Sequence, residues 1–185
     1  MDQYQEVILK LKSKGVLFDR GMSITEIDET EKLYDIFFPV ELKRLYSVGL
    51  PISKSFCNWR DTHKGNVQRI KDMLNMPIQG LISDLKTNDF WCDDWGEKPI
   101  DIRDAQSILL ENYNKAPQMI PIYAHRYMPF ILNETDIPVF SIMQSDIIYY
   151  GVDLISYLEI EFGFRKYSEL VQANFKHVDF WSDLL

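Results

Sequence analysis

The stretch from Met119 to Gly151 constrains this chain most. It reads M-I-P-I-Y-A-H-R-Y-M-P-F-I-L-N-E-T-D-I-P-V-F-S-I-M-Q-S-D-I-I-Y-Y-G and holds three apolar runs, Ile120 to Phe130, Val139 to Met143 and Ile147 to Tyr150. β-branched and aromatic residues dominate each run, and polar or proline-bearing turns separate them. That pattern predicts consecutive strands joined by hairpins, a three-stranded meander. Proline cannot donate to a ladder, so Pro121 and Pro129 suit strand ends or an edge, and Pro138 suits the opening of the second strand. Ser145 and Asp146 supply turn chemistry before the third strand, which Gly151 closes.

Most of the remaining chain has helical spacing. From Asp2 to Lys14, Tyr4, Val7, Ile8 and Leu11 share one face and Gly15 is a stop. Val16 to Phe18 reads as an apolar link. Ser23 with Glu26 forms a capping box for a helix that turns Ile27, Thr30, Leu33, Tyr34 and Phe37 inward. Pro39 opens a third helix carrying Leu42, Leu45 and Tyr46, and Gly49 and Pro51 end it. Asn58 to Asp61 reads as a loop. Asn66 caps a short helix using Val67, Ile70 and Leu74 that Pro77 stops, and Ile78 to Ser83 reads as a first strand. Asp101 caps a helix with Ile102, Ala105, Ile108 and Leu109 inward, and Asp153 caps another with Leu154, Tyr157, Leu158 and Phe162. Gly163 breaks that helix, and Lys166 to Phe175 forms the last, packing Tyr167, Leu170, Val171 and Phe175. Trp181 and Leu184 are expected to dock on the body. The order predicts one α+β domain over residues 1–185, a central, largely antiparallel sheet at 120–150 with helices on one face and at its ends. At 185 residues the chain can bury roughly 70% of its unfolded surface and needs no staples.

The formal net charge of -8 argues against nucleic-acid binding, which wants a basic face. Cys57 and Cys92 are too few for a disulfide framework. No secretory signal or membrane-length apolar run is evident, so a reducing, cytoplasmic compartment is expected. Phosphate-loop, dinucleotide, nucleophile-elbow and zinc-protease motifs are missing, and no cofactor or metal is expected. A nucleophilic site from Cys57 or Cys92 with His125 lacks flanking signatures, and His125 reads as structural. Arg126 suits an ion pair with Asp146 or Asp153 that locks the sheet to the last helices. Tyr149 and Tyr150 point to opposite faces of their strand, so at most one is expected in the core.

Residues 85–99, L-K-T-N-D-F-W-C-D-D-W-G-E-K-P, are the least ordinary in composition. Asp84, Asp89, Asp93, Asp94, Glu97 and Asp101 crowd around Phe90, Trp91 and Trp95. Such dense like charges repel, and acids interleaved with aromatics suit a surface that recognises a basic protein: aromatics supply desolvated area and acids steer. The bland alternative is that Trp91 and Trp95 plug the end of the sheet while the acids are merely solvated.

Several stretches, in this order, resemble the SUKH superfamily, in particular its bacterial branch related to a fungal cell-wall-assembly regulator. They are Ser23-x-x-Glu26 with Ile27, Glu31 and Tyr34; Phe38-Pro39-x-x-Leu42; D-F-W-x-x-x-W-G-x-K-P (Asp89 to Pro99); and I-P-I-Y-x-H-R-Y-M-P (Ile120 to Pro129). P-V-F-S-I (Pro138 to Ile142), D-I-I-Y-Y-G (Asp146 to Gly151) and D-L-x-x-Y-L-x-x-E-F (Asp153 to Phe162) follow. The resemblance covers residues 23–162 and leaves 163–185 as a C-terminal helical extension. It implies an α+β fold, no enzymatic activity, and an immunity protein that binds a cognate toxin, often a nuclease. The fungal relatives imply the alternative, an intracellular regulator or scaffold acting through an endogenous protein. Trp91, Trp95, Gly96, His125 and Tyr150 are family motif positions that maintain fold, which shifts the interface expectation toward Asp89, Asp93, Asp94 and Glu97, with Asp84 beside them. A homodimer through an edge strand beside Pro121 or Pro138 is a further expectation.

Overall fold

The computed structural model describes residues 2–185. Its helices are α1 (Gln3–Ser13), α2 (Ile24–Tyr34), α3 (Val40–Val48), α4 (Lys64–Thr87), α5 (Ile102–Tyr113) and α6 (Leu154–Glu161). Its strands are β1 (Phe18–Arg20), β2 (Gly49–Pro51), β3 (Met119–Tyr123), β4 (Arg126–Pro129), β5 (Val139–Met143) and β6 (Asp146–Gly151). Short 3-10 helices lie at Asp93–Trp95 and Tyr167–Gln172. The fold is α+β: β1 and β2 form a small antiparallel pair, and β3-β4-β5-β6 form an antiparallel meander.

Local signals placed the helix starts well. Ser23 accepts from Glu26 N while the Glu26 side chain returns to Ser23 N, and Asp101 and Asp153 each cap their helix through a side-chain oxygen. These caps satisfy N–H groups that have no partner inside the helix.

Elsewhere tertiary contacts overrode the local pattern. Ile120 to Phe130 is two strands, so the meander has four strands rather than three. Its turn, Ala124–His125, carries no glycine, and Ala124 takes a left-handed backbone (φ 49°). Buried residues on both arms hold that turn, among them Ile122 and Tyr127. Ile78 to Ser83 is not a strand, and Pro77 does not stop a helix: both lie inside α4. Proline there cannot bond the carbonyl of Met73 four residues back, and the hydroxyl of Tyr127 donates to that oxygen instead, at 2.9 Å. The helix also begins earlier than expected, after His63, and Asn66 ties the preceding loop by donating to Asn58 O and Asp61 O. Val16 to Phe18 leads into β1, which pairs with β2.

Some inward assignments fail at the margins. Leu33, Phe37, Ile102, Tyr167 and Val171 are exposed. The expected last helix is the 3-10 turn Tyr167–Gln172, which buries only Leu170. Trp181 is fully buried and donates its indole N–H to Pro117 O, and Leu184 packs beside it.

Both faces of the meander are covered, so the helices are not confined to one. Ile120, Ile122, Met128 and Val139 join Val7, Leu11, Leu42, Leu45 and Leu158 in one core. Tyr127, Phe140, Ile142 and Ile147 join Leu81, Leu85, Leu109 and Trp181 in the other. Alternate side chains of a strand point to opposite faces, and Tyr150 accordingly packs on the first core and Tyr149 on the second. Both therefore contribute, where at most one was expected. Arg126 does lock the sheet to α6, but through Glu161 (3.0 Å) rather than Asp146 or Asp153. Its guanidinium also donates to Ser141 Oγ and lies 3.8 Å from the centre of the Tyr150 ring.

The sheet edges are β3 and β6. Pro121 lies on the β3 edge, whose Tyr123 end is covered: Ala124 N donates to Ser55 O and Phe56 bridges Tyr123. Pro138 precedes β5, an interior strand, and so offers no edge for a second copy.

Candidate functional site

Residues 88–101 connect α4 to α5 and wrap one end of the second core. The indole N–H of Trp91 donates to Gly96 O at 2.7 Å, closing the loop on itself. Trp91 and Trp95 meet edge to face with centroids 5.3 Å apart, Phe90 meets Trp95 in the same way, and Trp95 stacks on Phe180. This edge-to-face and offset geometry is the favoured one for aromatic quadrupoles. Both tryptophans are half-buried, so they plug the core and still present ring surface.

The acids divide into three groups. Asp84 is 3% exposed and accepts from Ser145 N, Ser145 Oγ and Asn88 Nδ2, pinning α4 to the β5–β6 turn. Burial alone would raise its pKa, but these hydrogen bonds outweigh that and lower it. Its oxygens are occupied and enclosed, so it is not a surface residue that a partner could reach. Asp89 is exposed and forms an ion pair with Lys98, which holds its carboxyl below the usual range. Asp93, Asp94 and Glu97 are exposed, and among the described residues their side chains have no ion pair or hydrogen bond.

A cleft of about 280 Å³ opens between this loop and the C-terminal segment. Phe90, Trp91 and Cys92 form one side, Asp93 and Asp94 the rim, and Asp183 with Leu184 the other side. Asp183 was not foreseen. The only sequence signal for it was the expected docking of Trp181 and Leu184, which carries the intervening aspartate to the same place. Ile100, near the end of the loop, is fully exposed.

The alternative nucleophilic chemistry finds little support in the thiols. Cys57 is buried and its pKa is pushed up by burial to about 12; burial raises Cys92 as well. Activated cysteines have depressed values, because the thiolate is the nucleophile. Burial, and then the neighbouring Arg126, hold His125 below its usual range. Among the described residues no group of three His, Cys, Asp or Glu side chains is placed to share a metal ion, and no helix is long and apolar enough to cross a membrane.

Comparison of the chain with protein-family models, with curated proteins and with solved structures gave no match.

Proposed function

We propose that this chain is a cytoplasmic immunity protein that neutralises a cognate toxin, a nuclease or similar effector domain, by stoichiometric occlusion of a basic surface. One observation carries the reading. Asp93 and Asp94 line a cleft walled by Phe90 and Trp91, Glu97 follows in the same loop, and none of the three is paired among the described residues. Carboxylates used for stability elsewhere in the chain are matched with cations or N–H donors, as Glu26 is with Arg20 and Arg60. Exposed acids without a countercharge offer the fold no gain, whereas a basic partner supplies the missing charge. Steering by such a field raises association rates by roughly 10- to 1,000-fold. The aromatic wall suits the apolar stem of an arginine or lysine, whose charged head then meets the acidic rim. The resemblance of residues 23–162 to SUKH proteins points the same way, as does the net charge of -8.

Deletion of the chain tests this. The expected result is arrest only in cells that carry or meet the toxin, with rescue by the wild-type chain and not by a variant with lysine at 93, 94 and 97. A growth defect in toxin-free cells would favour an endogenous regulatory partner instead.

A further inference from the structure

A cleft of about 690 Å³ lies between α4 and the tips of the β3–β4 and β5–β6 hairpins, and it shares no lining residue with the cleft beside the acidic loop. Its lining is overwhelmingly apolar and rich in methionine: Met73, Met76 and Met143 line it, three of the seven methionines in the chain. Met76 and Met143 are exposed. Methionine is flexible and polarisable and adapts to irregular apolar guests. The walls are held closely. A Cβ at Gly80 of α4 would stand 2.8 Å from Gln144 Cα, so only glycine lets the helix approach that hairpin tip. Ala124 and Gln144, the first turn residue of each hairpin, both have positive φ (49° and 59°).

One cation faces this apolar space. Arg69 touches Phe56 O, Asn66 Oδ1 and Met73 Sδ, and none of these three acceptors is a carboxylate. Asp61 feels its charge but is hydrogen-bonded to His63. A half-buried guanidinium whose Nη1 meets only a thioether keeps donor capacity unused, and its planar fork matches a carboxylate. His125, also in the lining, adds a hydrogen-bonding ring. Clefts of roughly 300–1,000 Å³ with apolar walls and few polar groups are the usual form of small-ligand sites.

We propose that this cleft binds a medium-length, straight-chain carboxylate, its head on Arg69 and its chain between Met76 and Met143. A single unpaired cation selects a monoanion, and the absence of carboxylates among the Arg69 contacts removes the competitor for it.

The test is a titration of the full chain, labelled with ¹³C at its methionine methyl groups, with decanoate, decanol and decyltrimethylammonium below their micellar concentrations. The expected result is that decanoate shifts the Met73, Met76 and Met143 methyls, saturates at one equivalent, and leaves Met22, Met119 and Met128 in place. Decanol and the cationic analogue should bind at least tenfold more weakly. Arg69→Gln should bring decanoate down to the affinity of decanol. Should that variant fold poorly, the comparison of the three ligands on the wild-type chain decides alone. Equal affinities for the three, or shifts spread over all methionines without saturation, would overturn the proposal.

Discussion

Glu161 and Asp94 carry the same carboxylate and are used in opposite ways. Glu161 is largely enclosed at the end of α6, where it accepts from Arg126, itself bonded to Ser141 and covered by Tyr150. Asp94 stands outside the core with Asp93 and Glu97, and no cation of the described chain is drawn to it. An enclosed charge must be matched, because the desolvation cost is otherwise several kcal/mol. An exposed one can be left unmatched at little cost to folding, and is then free to meet another molecule. Pairing therefore separates acids that serve the fold from acids available to a partner.

The sharpest way to break that contrast is Arg126→Met, which strands Glu161. Removing one member of a buried pair costs about 3–5 kcal/mol, so denaturant unfolding should show a loss of that order. Arg126→Met with Glu161→Leu should recover most of it. A single variant as stable as the wild type would mean that the pair does not lock sheet to helix.

Glu41 of α3 lies between the two cases. It is buried, its Oε1 accepts from Asp136 N, and its Oε2 has no partner among the described residues. Burial raises its pKa from the ordinary 4.5 to about 7, with Asp153 and Asp136 adding to the rise. Between those values the folded chain holds a proton that the unfolded chain has released. This contribution to stability is thus fully present below pH ~4.5 and lost as pH rises through about 7, a change of roughly 3 kcal/mol. Glu41→Gln should flatten that part of a stability–pH profile; an unchanged profile would assign the slope to another group.

A smaller effect is expected from Tyr127→Phe. It removes the donor to Met73 O, the carbonyl that Pro77 leaves open. An orphaned buried acceptor costs about 1–3 kcal/mol. Amide exchange in α4 should quicken around Pro77, and no change there would show that water replaces the hydroxyl.

That proline shows where reading the sequence reaches its limit. The helix starts at Ser23, Asp101 and Asp153 were legible because each cap lies within three residues of what it caps. Pro77 looked like a terminator because the group that makes it tolerable is 54 residues away on β4. The same holds for the acids. Asp84 and Asp93 look alike in a dense acidic stretch, and only the fold of the β5–β6 turn, which brings Ser145 to Asp84, makes one structural and leaves the other outside. Trp91 and Trp95 do plug the core's end, yet Asp93, Asp94 and Glu97 beside them are unpaired among the described residues. The two readings describe different residues of one segment.

The smallest stability effect should come from Asp93→Asn, Asp94→Asn and Glu97→Gln together. Exposed substitutions away from buried networks usually stay within about 0.5 kcal/mol, and relief of repulsion between these acids would act in the stabilising direction. A loss well beyond that would place these carboxylates among those that serve the fold.

The most direct measurement is affinity capture from the source organism's lysate across a salt series, comparing the wild-type chain with Asp93→Lys/Asp94→Lys/Glu97→Lys. The expected result is one near-stoichiometric polypeptide with a basic toxin domain, retained by the wild type at moderate salt, weakened as salt rises, and lost by the variant. Retention of the same polypeptide by both chains, with the same salt dependence, would contradict it.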